Sequence, residues 1–138
     1  MTGTSDVLDM PTSPTSGRRA YRLGVAVAAV TSFLIVWTTV VRDDGSGMAW
    51  FELILAALAG AFAAWFRPAG MARAMAAVAV MQLLLGLATA TAPVTATVPD
   101  GVARAIIFSI VFSALWLLSA ACFRAAARAA PSTWSTSP

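Results

Sequence analysis

The sequence contains no histidine and no lysine, and it has a single cysteine. Without imidazole the chain lacks a common haem and zinc ligand and the base of a Ser-His or Cys-His pair. Without lysine it can form neither a Schiff base nor the phosphate-binding P-loop. Cys122 cannot form an intramolecular disulfide, and a lone cysteine usually acts as a small, buried apolar residue. We therefore predict that the protein is not an enzyme, with no catalytic residues, no metal and no cofactor.

Charge is also scarce, because 11% of the residues are charged while 59% are hydrophobic. A soluble domain carries about 25% charged residues, so this composition predicts a membrane protein whose main partner is the lipid bilayer. All nine basic residues are arginine, and they flank apolar stretches instead of forming one basic face, which argues against nucleic-acid binding. The absence of lysine and the abundance of alanine indicate a GC-rich bacterial genome.

Four apolar stretches of 19 residues each cover 23–41, 48–66, 74–92 and 105–123. At ~1.5 Å per residue, each is close to the ~30 Å thickness of the hydrocarbon core. Lipid cannot hydrogen-bond to a bare backbone, so each stretch should be helical. Because the connections are short, we predict an all-α polytopic membrane protein with four transmembrane helices in an antiparallel bundle.

The predicted transmembrane domain covers 21–128. The segments 1–20 and 129–138 are rich in Ser, Thr and Pro and are predicted to be disordered cytoplasmic tails.

Helix ends carry recognisable signals. Pro68 is expected to stop the second helix by biasing Arg67 away from helical geometry. Asp44 or Ser46 should cap the second helix and Asp100 the fourth.

Arginine placement predicts the orientation, since basic residues concentrate on the cytoplasmic side. With the N-terminus inside, only Arg42 and Arg104 lie outside. The seven inside are Arg18, Arg19, Arg22, Arg67, Arg73, Arg124 and Arg128. The bias predicts a multi-pass protein with both termini cytoplasmic; with the bacterial composition, the expected location is the bacterial inner membrane. The pair Arg18-Arg19 also resembles a twin-arginine export signal, but the segment TTVVRDDG lacks a cleavage motif, which favours an uncleaved anchor.

Glu52 is the one acid inside a predicted span, about one turn below the outer surface. A charged side chain at mid-membrane costs ~2.5–3.5 kcal/mol on insertion scales, and less near an interface. We expect Glu52 to form an ion pair with Arg104 or Arg42. Removing both Glu52 and Arg104 should then change the stability by a non-additive amount. Snorkelling to the surface and a role as an ion- or proton-coupling acid are the alternatives.

Small residues recur at four-residue steps, a pattern that lets membrane helices approach closely. The predicted packing residues are Gly24, Ala28 and Ser32 in the first helix, Ala56, Gly60 and Ala64 in the second, and Gly86 in the third. Gln82 lies near the centre of the third span, where an unpartnered amide is expensive. We expect it to form an interhelical hydrogen bond, with a substrate contact as the alternative.

The fourth span carries an aromatic ladder, Phe108, Phe112 and Trp116, for which a lipid-facing or core-filling role is expected. On an adjacent face, Ser109 and Ser113 can bond to carbonyls of their own helix.

Two helix ends are similar, AAWFRPA at 63–69 and AACFRAA at 120–126. The similarity suggests either a duplicated helical hairpin or a shared interfacial pattern in two helices of the same polarity.

The stretches FRPAGMARAM at 66–75 and FRAAAR at 123–128 resemble a family of small, uncharacterised four-helix bacterial inner-membrane proteins. The resemblance covers about 20–128. It implies the same fold and no catalytic motif.

Two functions are consistent with these observations. The first is a non-enzymatic accessory, assembly or self-associating component, whose partner is another membrane protein or a second copy. The alternative is a small-solute or ion transporter with Glu52 as the coupling acid.

Overall fold

The computed structural model describes residues 14–42 and 47–130, and this part of the chain is helical with no strand. The helices are α1 (Pro14–Arg42), α2 (Gly47–Ala63), α3 (Pro68–Thr91), the single-turn α4 (Pro93–Ala96) and α5 (Gly101–Ala129). The prediction of an all-α protein is confirmed.

Three helices, α1, α3 and α5, are long and apolar enough to cross a membrane. The prediction of a membrane protein is therefore supported by length and composition. Helix α2 is apolar but has 17 residues, so at ~1.5 Å per residue it is about 26 Å long. It ends at Ala63, three residues before the end of the predicted span 48–66.

The early end of α2 is set by its own backbone hydrogen bonds. Phe66 N–H donates to Ala61 C=O at 3.2 Å, and Trp65 N–H donates to Phe62 C=O at 2.9 Å. This is the Schellman pattern, in which the C′ residue takes the left-handed conformation. Trp65 is that residue, with φ 48°.

The next helix begins where the sequence predicts. Arg67 is extended, with φ −74° and ψ 136°, and Pro68 is the first residue of α3. Proline suits this position because the first helical N–H has no intrahelical partner to lose.

Helix α1 begins earlier than the predicted tail allows, because residues from Pro14 onward are helical. Proline is tolerated in a first helical turn. Gly17 then lies against the end of α5, where an added Cβ would be 3.0 Å from the Ala129 Cβ. The first residues of α1 are therefore helical and pack against the end of α5, although their composition predicted disorder. The predicted tail residues 1–13 and 131–138 lie outside the described residues.

The connection from α3 to α5 folds back on the end of α3. Thr95 Oγ1 donates to Thr89 C=O at 2.6 Å. Asp100 occupies the N-cap position of α5, but with φ 56° its side chain makes no capping hydrogen bond, contrary to prediction. The next residue, Gly101, is glycine because a Cβ there would run into the Thr95 carbonyl oxygen. The other predicted caps, Asp44 and Ser46, lie outside the described residues.

Helix α5 holds the molecule together, because it packs against both α3 and α1, while α2 packs against α3 and α1. The largest fully buried side chains come from all four long helices. They are Trp116, Phe123, Ile35, Leu53 and Met75.

The start of α1, the α2–α3 turn and the end of α5 meet at one end of the molecule, here called the arginine-rich end. Tyr21 Oη donates to Phe66 C=O at 3.0 Å, and its ring packs edge-on against Phe123 at 5.2 Å between centroids. The end formed by the α3–α5 connection is called the opposite end.

The two similar stretches adopt different conformations. Residues 64–66 form the turn after α2, whereas 120–126 continue as helix within α5. Phe66 is exposed while Phe123 is fully buried. The shared letters therefore do not correspond to equivalent positions in the fold.

Candidate functional site

Glu52 lies on the exposed part of α2. The buried side chains of this helix follow helical spacing and are Trp50, Leu53, Ala57 and Ala61. The predicted packing residues Ala56, Gly60 and Ala64 are only partly buried. At ~100° per residue, the acid therefore lies on the side of α2 away from these buried residues, and it is not enclosed by neighbouring helices.

The predicted ion pair between Glu52 and Arg104 is absent from the described residues, and both side chains are exposed. The two residues belong to α2 and α5, which are not among the helix pairs in extensive contact. The expectation of non-additive stability effects therefore loses its structural basis. Only the backbone of Arg42 is described, so its pairing with Glu52 stays a prediction.

Gln82 is fully buried on α3. Neither end of its amide has a hydrogen-bond partner within the described part of the chain, and the same is true of the buried Ser109 Oγ and Trp116 Nε1. The expected interhelical hydrogen bond of Gln82 is therefore not formed. Leaving such a buried group unpaired costs about 1–3 kcal/mol in mutational data.

Two other serines of α5 make the interhelical bonds. Ser113 Oγ donates to Ala79 C=O at 3.0 Å, and Ser119 Oγ donates to Gly24 C=O at 2.8 Å. Sequence reasoning assigned Ser113 to its own helix and did not single out Ser119. Each serine is three residues from Trp116 and lies on the same side of α5 as that buried ring. This spacing is the signal that could have placed both serines against neighbouring helices.

Small residues mark the closest helix approaches. A Cβ added to Gly86 would overlap the Ser109 side chain, and one added to Gly24 would be 3.1 Å from the Phe123 ring. A Cβ on Gly60 would be 2.8 Å from the Ala74 Cβ.

In α1, Ala28 and Ser32 are only partly buried, and the fully buried residues besides Gly24 are Thr31 and Ile35. Ser32 donates to Ala28 C=O in its own helix at 2.9 Å. The predicted stripe of α1 therefore lies at the edge of the buried face.

The aromatic ladder of α5 faces the core. Phe112 and Trp116 are buried, and Phe108 is partly buried with its ring 4.9 Å from the Trp50 ring.

A cavity of about 630 Å³ opens at the opposite end, among α1, α2, α3, the α3–α5 connection and α5. Arg104 is its one charged lining residue among those described. Glu52 does not line it. No sequence pattern predicted this cavity, because its walls come from five separate segments.

The described residues contain no group of three or more His, Cys, Asp or Glu side chains placed to hold a metal ion. Cys122 is partly buried as a free thiol.

Comparison with known proteins found no matching family model, no matching curated protein and no matching solved structure. The class of protein rests on the chain itself, which is all-helical in its described part with three helices able to cross a membrane.

Proposed function

We propose that this chain is a non-enzymatic component of the bacterial inner membrane that associates with another membrane protein through the exposed side of α2. In this proposal four helices cross the bilayer as an antiparallel bundle, and the arginine-rich end faces the cytoplasm. The observation that carries the proposal is the exposure of Glu52 on an otherwise apolar side of α2.

An acid on a lipid-facing helix surface is costly, and such residues normally face a protein interior or pair with another group. Around Glu52 the same helix exposes Phe51, Leu55, Leu58 and Phe62. An apolar surface with one acid near its outer end suits a partner helix that offers a cation or a hydrogen-bond donor at that depth.

The length of α2 supports the same proposal. The described part of α2, about 26 Å long, is shorter than a hydrocarbon core of ~30 Å. Short spans are accommodated by bilayer thinning, snorkelling or oligomerisation. Association along α2 would bury the acid and would also compensate for the short length of the helix.

A different protein is favoured over a second copy as the partner. An isologous dimer centred on this face brings the same patch of both subunits together. Two Glu52 carboxylates would then meet near the symmetry axis, where like charges repel.

The seven-to-two arginine bias supports the orientation. Contacts of Tyr21 with Phe66 and Phe123 bring three arginine-bearing segments to one end. An end that carries this many basic residues is retained on the cytoplasmic side.

Photo-crosslinking in native membranes tests the partner surface. A photoreactive residue at Leu58 on α2 should give one dominant adduct, and a matched probe at Ile107, an exposed site on α5, should give none. Glu52→Gln should reduce the Leu58 adduct at least fivefold, because it removes the carboxylate charge. Asp100→Asn, an acid outside the spans, should leave it unchanged.

Equal adducts from both probes, or an adduct only with a second copy, would contradict the proposed partner.

The alternative is a small-solute or ion transporter, which the cavity favours. Glu52 does not line that cavity, so the coupling role predicted for this acid has no support from the geometry. Flux driven by a pH gradient in proteoliposomes, abolished by Glu52→Gln in a folded protein, would favour transport over our proposal.

A further inference from the structure

The cavity at the opposite end has the chemistry of an anion site. Arg104 is its one charged lining side chain, and no acid lines it among the described residues. Arginine presents five N–H donors in a planar fork that matches a phosphate in two-point contact.

The hydroxyl groups in the cavity are already committed as donors. Thr38 Oγ1 donates to Leu34 C=O at 2.8 Å, and Thr39 Oγ1 donates to Ile35 C=O at 2.9 Å. Thr89 Oγ1 donates to Leu85 C=O at 2.8 Å. These oxygens can accept but not donate another bond, so the charged donor for an anion is Arg104.

The remaining walls are largely apolar. The Trp50 and Phe108 rings form an edge-to-face pair at 4.9 Å, and Val94 and Val98 add apolar surface from the α3–α5 connection. A small inorganic anion would leave these walls without contact, whereas an amphipathic molecule with one anionic group would use both parts.

The depth of Arg104 matches a lipid headgroup. It is the fourth residue of α5, about 4.5 Å along the axis from the helix start at ~1.5 Å per residue. Arginines near the ends of membrane helices reach the headgroup layer.

We propose that this cavity binds one anionic phospholipid, with the Arg104 guanidinium holding the phosphate and with Trp50 and Phe108 contacting the glycerol and upper acyl chains. The proposal does not depend on the partner surface of α2.

Native mass spectrometry of the full chain in detergent tests this site, with phosphatidylglycerol as the probe. The wild type should retain one phosphatidylglycerol per chain and bind it at least tenfold more tightly than phosphatidylcholine. Arg104→Gln should weaken phosphatidylglycerol binding about tenfold, and Arg104→Lys should restore part of the loss.

The matched control is Arg124→Gln, which removes an exposed arginine from the other end of the same helix. It should leave binding unchanged. Ala105→Leu, which fills the cavity while keeping Arg104, should also weaken binding and serves if Arg104→Gln fails to fold.

Three results would overturn the proposal. They are no retained lipid in the wild type, equal losses in the Arg104 and Arg124 variants, and displacement of the lipid by millimolar inorganic phosphate. The last would identify a free-anion site instead of a lipid site.

Discussion

At the scale of single residues, the contact between Gly86 and Ser109 sets the spacing of α3 and α5. A Cβ at position 86 would overlap the Ser109 side chain, and both residues are buried. Small residues allow such approaches in membranes, where helix association depends on packing instead of a hydrophobic driving force.

We predict that Gly86→Ala lowers the free energy of unfolding by about 1–3 kcal/mol, the usual cost of overpacking. Ser109→Gly in the same chain removes the overlap and should recover most of the loss. Thermal unfolding in detergent for the two single variants and the double variant measures the coupling. A coupling energy near zero between the two substitutions would contradict the proposed contact.

The residue scale also shows what spacing cannot specify. Four-residue spacing in α3 is enough to put Gln82 and Gly86 on one helix face, and both are buried. Whether an amide finds a partner depends on the rotation of the neighbouring helix, which spacing within one helix does not encode. The same limit applies to Glu52, since its distance from Arg104 depends on how α2 and α5 are arranged.

At the scale of elements, the turn after α2 holds an aromatic residue where glycine is usual. Trp65 has φ 48°, and its side chain is 84% exposed. For a residue with a Cβ, the left-handed conformation costs roughly 1–2 kcal/mol.

We predict that Trp65→Gly raises the free energy of unfolding by about 1 kcal/mol, because glycine adopts this conformation without the Cβ penalty. Leu55→Gly, at an exposed site inside α2, should instead lower the free energy of unfolding, since glycine in a helix interior costs about 1 kcal/mol. Chemical denaturation in mixed micelles measures both. Destabilisation by Trp65→Gly would show that the aromatic side chain contributes more than the strain it imposes.

Element boundaries were predictable only where a residue acts through local sterics. Pro68 restricts Arg67, so the start of α3 follows from the sequence. The end of α2 at Ala63 depends on two left-handed residues, Trp65 and Phe66, which the sequence gives no reason to expect. The helical start at Pro14 accompanies a contact of Gly17 with a helix over a hundred residues away.

At the scale of the whole molecule, composition predicts an all-helical membrane protein because so little charge is available to face water. The number of crossings is a separate question, since α2 is shorter than the three helices able to span a bilayer. Four crossings place the termini on the same side, and three place them on opposite sides.

We predict that both termini are cytoplasmic, because seven arginines then lie inside. The measurement is labelling of single cysteines with a membrane-impermeant maleimide, in a Cys122→Ala background. Thr97→Cys, in the exposed α3–α5 connection, should react in intact spheroplasts. Ser5→Cys and Ser132→Cys should react only after permeabilisation.

Reaction of one terminal cysteine without permeabilisation would instead indicate that α2 does not cross.

The bond from Ser119 to the Gly24 carbonyl joins positions 95 residues apart, and α5 is the helix that packs on both α1 and α3. During synthesis, α5 leaves the ribosome after α1, α2 and α3. The earlier helices must therefore enter the membrane before their main neighbour exists. A chain interrupted before Gly101 would lack the surface on which α1 and α3 assemble. Its helices would then be exposed to quality-control proteases without their main packing partner.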